Sequence, residues 1–564
     1  MRQSKLIGLA LVCALHLPYF SAGQVRAQQT TAVAAVAANR PATKSTLPAA
    51  SRAAAERITA SRLSEFLHVV ASDEMEGRDT PSPGLDMTAQ YLVSHLTRWG
   101  LKPAGDDGTF YQRIKLTRRK VGQGATKVDF DGRALKFGED YLADRTTGAG
   151  AGELVYAGHG WVVKSKKIDA FQGLDVRGRV VIISGGQLPG GLSRTDLKGE
   201  PGEDWQDPEF YARKHGAVAL VVVPRANDYE RWWRVRAASM ERGGWEVEKF
   251  DAPEERSGLP RIYPSTALLK SLFAGERLSG EEVLQHTNEG TTGAAFALAA
   301  SKRLKLDVKA TQETATTQNV VAVLEGSDPR LKQEYVAVGA HYDHVGKGLP
   351  VKGDAIYNGA DDDGSGTVAV LSMAEAFAQG PRPKRSLLFV WHAGEEKGLW
   401  GSRYFTLFPT VPLDRIVAQI NIDMIGRSKQ PGDTTPANGS LSGPDEIYVI
   451  GSKMMSTGLG ALSERVNGAY LNLAFNYRYD DPADPNRFFF RSDHFNYAVK
   501  GIPIIFYFDG VHEDYHRPSD TVDKIDFRKM EKVTRTVFMT ASELADATER
   551  PKVDKQLPKT LTER

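Results

Sequence analysis

One rhythm constrains this chain more than any other feature. From Asn319 onward, apolar segments at 320–324, 335–339, 386–391, 416–422 and 502–508 alternate with helical segments. Continuous apolar strands separated by helices form a sheet buried on both faces. The expected fold class is therefore α/β, a mostly parallel mixed sheet covered by helices. In such a sheet ligands bind beyond the carboxyl ends of the strands, so the residues just after each strand come first. They are His341-Tyr342-Asp343-His344, then His392-Ala393-Gly394-Glu395-Glu396, then Asp423, then a loop holding His512, Glu513, Asp514, Tyr515 and His516. Asp361-Asp362-Asp363 precedes Gly364-Ser365-Gly366 at the start of an apolar helix. Four strand ends and one helix start thus bring carboxylates and imidazoles to one edge.

Each group has a plainer reading. The three aspartates can cap a helix, since carboxylates favour its positive end, and for Asp361 or Asp363 alone that reading is the better one. Adjacent Glu395 and Glu396 repel each other, so burying both is costly without a cation, and a solvated turn is their plain alternative. Asp423 ends an apolar strand, where an unpaired carboxylate would be destabilising. A metal resolves both difficulties. Oxygen and nitrogen donors without sulfur suit zinc, manganese or cobalt. Two imidazoles and three carboxylates fit two metals about 3.5–4 Å apart with one carboxylate bridging. A spare carboxylate then remains to take a proton from water.

The motifs HYDH, GADDDGSG, HAGEEKGLWGS, NIDMIG and YHRPSDT, in this order, resemble the dizinc aminopeptidases related to glutamate carboxypeptidase and the transferrin receptor. The resemblance covers about 320–545, and more loosely the helices from Ile58. It implies that His341 and Asp423 hold one zinc, Glu396 and His516 the other, and that Asp362 bridges. It implies Glu395 as general base and Asp343 as the carboxylate that orients His341. Arg491 resembles a substrate-contacting arginine, and Tyr515 is placed to help a tetrahedral intermediate. An ordinary loop arginine and a packing tyrosine are equally good readings of those two. Asp363 departs from the family's usual Asn and would bring an extra charge. His344, His392, His494 and His512 are left over, as supporting or structural residues. Two Zn2+ per chain are implied, other divalent metals remaining open.

The N-terminus reads differently. Arg2 and Lys5 precede an apolar run at 6–17, and Val25-Arg26-Ala27 offers a cleavable spacing. This is the layout of a secretory signal over 1–27, with no stable membrane insertion after its removal. Export, periplasmic or secreted, is expected. The single cysteine, Cys13, leaves with the signal, so the rest has neither a disulfide nor a cysteine zinc site. Removing Arg2, Lys5 and Arg26 turns 72 bases into 69 against 70 acids, a net charge of −1 in place of +2. That balance gives no case for nucleic acid as a partner.

A chain of 564 residues exceeds one core. The expected division is a leader at 28–55, a first catalytic part at 56–143, an insert at 144–297, the catalytic domain at 298–548 and a polar tail at 549–564. The insert's β-rich runs resemble a protease-associated domain. Within it Arg231-Trp232-Trp233-Arg234-Val235-Arg236 mixes bases and aromatics and reads as a packed or substrate-facing loop. The resulting expectation is an exported zinc exopeptidase acting on peptides, an aminopeptidase first. A carboxypeptidase or dipeptidase of the same family stands as the alternative, as does a non-catalytic receptor-like protein. Nothing in the sequence sets an oligomeric state.

Overall fold

The computed structural model describes residues 47–557, apart from 145, 186–187, 190, 251–257 and 292. The expected signal and most of the expected leader lie outside the described residues. The chain forms two compact units. One comprises the described residues up to Ile114 and those from Thr316 on; the other is Lys115–Ala315.

The first unit is built on strands β1 (Ala310–Leu324), β2 (Tyr335–His341), β3 (Ser386–His392), β4 (Ile416–Ile422), β5 (Glu446–Ile450), β6 (Ala474–Asn476) and β7 (Ile504–Phe508). They lie in the order β1-β3-β2-β4-β7-β5-β6. The four strands β3, β2, β4 and β7 are mutually parallel. Antiparallel β1 flanks them on one side and antiparallel β5 on the other. The sheet is mixed and mostly parallel, as the apolar rhythm implies, and its parallel strands share one carboxyl edge.

Side chains alternate across the strands, which splits the core in two. Val336, Val338, Phe389 and Ile420 face a cluster that includes helices α2 (Ala60–Val70), α3 (Pro83–Arg98), α4 (Gly366–Gln379) and α7 (Phe527–Asp546). Ala337, Leu388, Val390 and Ile504 face the other cluster, rich in Phe and Met. Helix α4 is buried on nearly every side, which explains its almost unbroken apolar sequence. Caps set the helix starts: Thr59 accepts from Arg62 N–H, and Ser82 from Leu85 N–H with Pro83 in the first turn. The leader ends earlier than expected. Ala49–Ala55 is a helix whose Ala54 and Ala55 are buried in the core, and small side chains allow that close approach. On α3 the buried face is Leu85, Ala89, Leu92 and Leu96, whereas Met87 is 39% exposed.

The second unit is wider than the expected 144–297. Strands Lys127–Phe130 and Arg133–Leu135 before that stretch, and Arg303–Val308 after it, pair within the insert's own sheet. Gly and Pro punctuation marked the insert's interior and missed these flanks. Its middle strands Gly148–Tyr156, Val180–Ser184, Ala219–Val223 and Arg261–Pro264 are parallel, and helices accompany them. The Arg231–Arg236 stretch is helical, within Tyr229–Arg242, not a loop. Trp232 packs 5.6 Å from both Tyr229 and Tyr263, and Trp233 Nε1 donates to Gly138 O at 3.2 Å. Among the described residues no helix is long and apolar enough to cross a membrane.

Candidate metal centre

The shared carboxyl edge collects the expected residues. His341 ends β2, directly beside His392 at the end of β3. Its Nδ1 lies 3.1 Å from the backbone oxygen of Asp343 and 3.7 Å from that residue's carboxylate. With its proton on Nδ1 for that carbonyl, Nε2 turns a lone pair into the cluster. The backbone of Asp343, more than its side chain, therefore sets the imidazole. The carboxylate does something else: its Oδ1 accepts the Glu395 backbone N–H at 3.1 Å, tying the loop after β2 to the loop after β3.

Asp362 lies at the centre. Its Oδ1 is 3.3 Å from His341 Nε2, and its Oδ2 is 3.1 Å from His516 Nε2. Asp423 Oδ1 stands 3.6 Å from His341 Nε2, and Glu396 Oε2 stands 3.1 Å from His516 Nε2. Two groups result, His341–Asp362–Asp423 and His344–Asp362–Glu396–His516, joined through the one aspartate. His344 belongs to the second group, where the sequence reading gave it only a supporting place.

The donor set fits a pair of divalent cations. Asp362 Oδ2, Glu396 Oε1, His344 Nδ1 and His516 Nε2 are buried without an aligned hydrogen-bond partner. Leaving so many polar atoms unsatisfied is expensive. Without a cation the charges settle on the protein. Burial alone would push Glu396 up, and Asp362 adds to this, but His516 and His344 outweigh both and hold it at about 2. Burial opposes charge on His516 as well, yet Glu396 and Asp362 raise it to about 10. Glu395 goes the other way: burial first, then Glu396, Asp423 and Asp493, lift its carboxyl well above the usual range, against the pull of His341. Its Oε2 is 4.0 Å from His341 Nε2.

The supporting residues come from distant segments. Arg78, fully buried, donates from Nε to Tyr342 O (2.9 Å), from Nη1 to Val70 O and Asn358 O (2.8 and 2.6 Å), and from Nη2 to Gly359 O (2.8 Å). It joins the loop after β2 to the loop before Asp362. No pattern around Arg78 in the sequence announces this, because its partners lie up to 281 residues away. Asp520 accepts the backbone N–H groups of Asp361 and Asp362 at 3.0 and 3.2 Å. Asp361 is not a helix cap: its Oδ1 accepts Gly426 N–H at 2.7 Å and its Oδ2 lies 3.2 Å from His512 Nε2. Asp363 Oδ1 accepts from Gly366 N–H and Met424 N–H at 2.9 and 3.1 Å. Burial, then Asp423, push its carboxyl well up. Ser492 Oγ accepts from Asn421 Nδ2 at 2.8 Å and also bonds Asp423. His392 stands 3.4 Å from Asp493 and 3.0 Å from the Tyr497 hydroxyl. Tyr515 stacks on His516 at 3.9 Å, and exposed Arg491 Nη2 donates to its hydroxyl at 3.4 Å.

A mostly parallel sheet whose carboxyl edge carries two imidazole–carboxylate groups sharing one aspartate defines an α/β domain with a candidate two-centre metal site. Residues 319–541 match the model of Peptidase family M28. A probable leucine aminopeptidase of Arthroderma benhamiae is 30% identical over 229 residues, 39% of this chain and 57% of its own length. A probable zinc metalloprotease of Pyrenophora teres is 39% identical over 122 residues, 21% of this chain and 25% of its own. The chain thus spans little more than half the length of the curated relatives it matches. Among solved structures, the aminopeptidase from Aneurinibacillus sp. strain AM-1 has a TM-score of 0.48 at 16% identity, over 90% of this chain and 98% of that one.

Proposed function

We propose that the chain is an exported zinc-dependent aminopeptidase that uses two metals, with His341 and Asp423 at one, Glu396 and His516 at the other, and Asp362 between them. The observation that carries this reading is the convergence of unpartnered buried donor atoms on Asp362 with Glu395 beside them. Relatives named leucine aminopeptidase and zinc metalloprotease support it. When bound, the metals supply Lewis-acid polarisation of a carbonyl and a water acidic enough to react near neutral pH. Glu395, whose Oε2 lies 4.0 Å from His341 Nε2, would take the proton of such a water and deliver it to the departing amine. Asp343, through the Glu395 N–H, fixes where that carboxyl stands. Tyr515 is held in its protonated form by burial, and by Asp362 and Glu396 next, so its hydroxyl is a donor for the oxygen on which charge develops. The surplus of carboxylates suits a substrate's free N-terminal ammonium. Export rests on the layout of residues 1–27.

The test combines metal analysis with a substrate panel led by leucyl peptides, each also offered N-acetylated and C-amidated. An aminopeptidase cuts the free and amidated forms and spares the acetylated one; loss on amidation alone makes it a carboxypeptidase. Glu395→Gln retains its metal and loses activity by about 10²–10⁴-fold. Undiminished hydrolysis in that variant sinks the mechanism.

A further inference from the structure

His344 is as close to the second group of donors as His516 is. Its Nδ1 lies 2.9 Å from Glu396 Oε1 and 3.7 Å from Asp362 Oδ2, while His516 Nε2 lies 3.1 Å from Glu396 Oε2 and 3.1 Å from Asp362 Oδ2. Two donors on one tetrahedral zinc, each bonded at about 2.0–2.1 Å, stand about 3.3 Å apart. The four separations fall on both sides of that value. The alternative role, a hydrogen bond that merely steadies Glu396, is poorly served. Despite the short distance, neither His344 Nδ1 nor Glu396 Oε1 has an aligned hydrogen-bond partner.

The backbone is shaped for this ring. Gly359 has φ +58°, and a Cβ there would stand 2.5 Å from His344 Cγ. The His344 backbone N–H donates to Arg78 O at 3.1 Å, which anchors the residue's backbone. Burying an imidazole completely among carboxylates, with both ring nitrogens unpartnered, forgoes two hydrogen bonds. A cation in the middle removes the cost for Nδ1.

Resting on the two-metal reading above, we propose that His344 is itself a metal ligand, so that the second centre is a four-donor set of His344, Asp362, Glu396 and His516. The first centre, His341, Asp362 and Asp423, keeps three protein donors. Four donors close a zinc site, whereas three leave a position open. The open position therefore belongs to the His341 side, which is also where Glu395 Oε2 lies. The two centres are unequal, one holding its cation firmly and the other serving the reaction.

The experiment strips the full-length protein with a chelator and titrates it with Co2+, following both bound metal and visible absorption. The wild-type protein takes two equivalents. His344→Ala takes its second equivalent at least tenfold more weakly, with an altered absorption band, and added imidazole restores both. His344→Asn, which keeps size and polarity, shows the same loss, and circular dichroism of both metal-free variants confirms that they fold. Two equivalents bound with wild-type affinity and an unchanged band in both variants overturn this inference alone. A wild-type protein that takes only one equivalent overturns the two-metal reading and this inference with it.

Discussion

Replacing Arg78 with Met tests how far the site depends on a residue remote from it in sequence. Methionine fills the volume of the arginine stem but donates nothing. Three carbonyl oxygens, those of Val70, Tyr342 and Asn358, lose their donor inside the protein, while Gly359 O keeps the Gly364 N–H at 3.1 Å. Each buried acceptor left unpaired costs about 1–3 kcal/mol. Taking the low end for all three, because a carbonyl keeps some freedom to find water, gives about 3 kcal/mol. The lost charge acts in the same direction. Burial lowers the guanidinium to about 10, with Asp343, Asp362, Asp363 and Asp520 holding it up, so it remains a cation among those acids at neutral pH. At about 2 °C per kcal/mol for a unit of this size, the sheet unit's transition in differential scanning calorimetry of metal-free protein should fall by about 6 °C. Arg78→Lys keeps the charge but not the fork, and should fall by about half as much. Arg78→Met should also bind zinc at least tenfold more weakly, since two ligand-bearing loops lose their common anchor. A transition within 2 °C of wild type, with unchanged zinc affinity, refutes the reasoning.

Two other residues give sharp expectations. His494 is buried and stacked on Phe506, and burial brings it to about 3, against small opposing effects from Phe489 and Asp493. The unfolded chain takes up a proton near the ordinary pKa of about 6.5, which the folded chain refuses until about pH 3. Stability should therefore fall as pH drops from 6.5 towards 3, by at most about 5 kcal/mol from this group. In urea unfolding at pH 7, 5 and 4, His494→Phe should flatten that acid limb; an unchanged slope contradicts it. Gly359→Ala places a Cβ 2.3 Å from Asp362 O at a positive φ. It should cost about 3 kcal/mol or more and deplete bound zinc; a variant with wild-type melting and metal content rules that out.

What the sequence made legible is the part governed by local rules. Strand-end logic pointed to the segments that hold His341, Glu395, Glu396, Asp423 and His516, because a parallel sheet delivers such residues to one edge; a helix start added Asp362, and the family resemblance singled these residues out from their neighbours. The residues it misjudged depend on long-range geometry. Asp343 was expected to steer His341 with its carboxylate, yet its backbone carbonyl is the nearer contact and the carboxylate serves Glu395. Asp361 looked like a helix cap because capping is a local pattern, while its partners Gly426 and His512 are not local. His344 was written in plain view, three residues after His341, but only the turn of the loop decides whether it faces the cluster. The flanks of the insert were misassigned for the same reason, since pairing partners as far apart as Phe130 and Leu304 leave no mark on the local pattern.

The strand order has a consequence for how the site comes into being. Of the sheet's strands, β7 is the last to be synthesised, yet it lies between β4 and β5. Until it arrives, β5 and β6 have no edge to join, so the sheet cannot be completed in the order in which it leaves the ribosome. Pairings of that kind are slow to form, because distant parts of the chain must meet first. The same late strand leads into the loop that carries His516. A nascent chain holding His341, Asp362, Glu396 and Asp423 therefore has its candidate donor cluster incomplete, and the element that closes its sheet also brings His516.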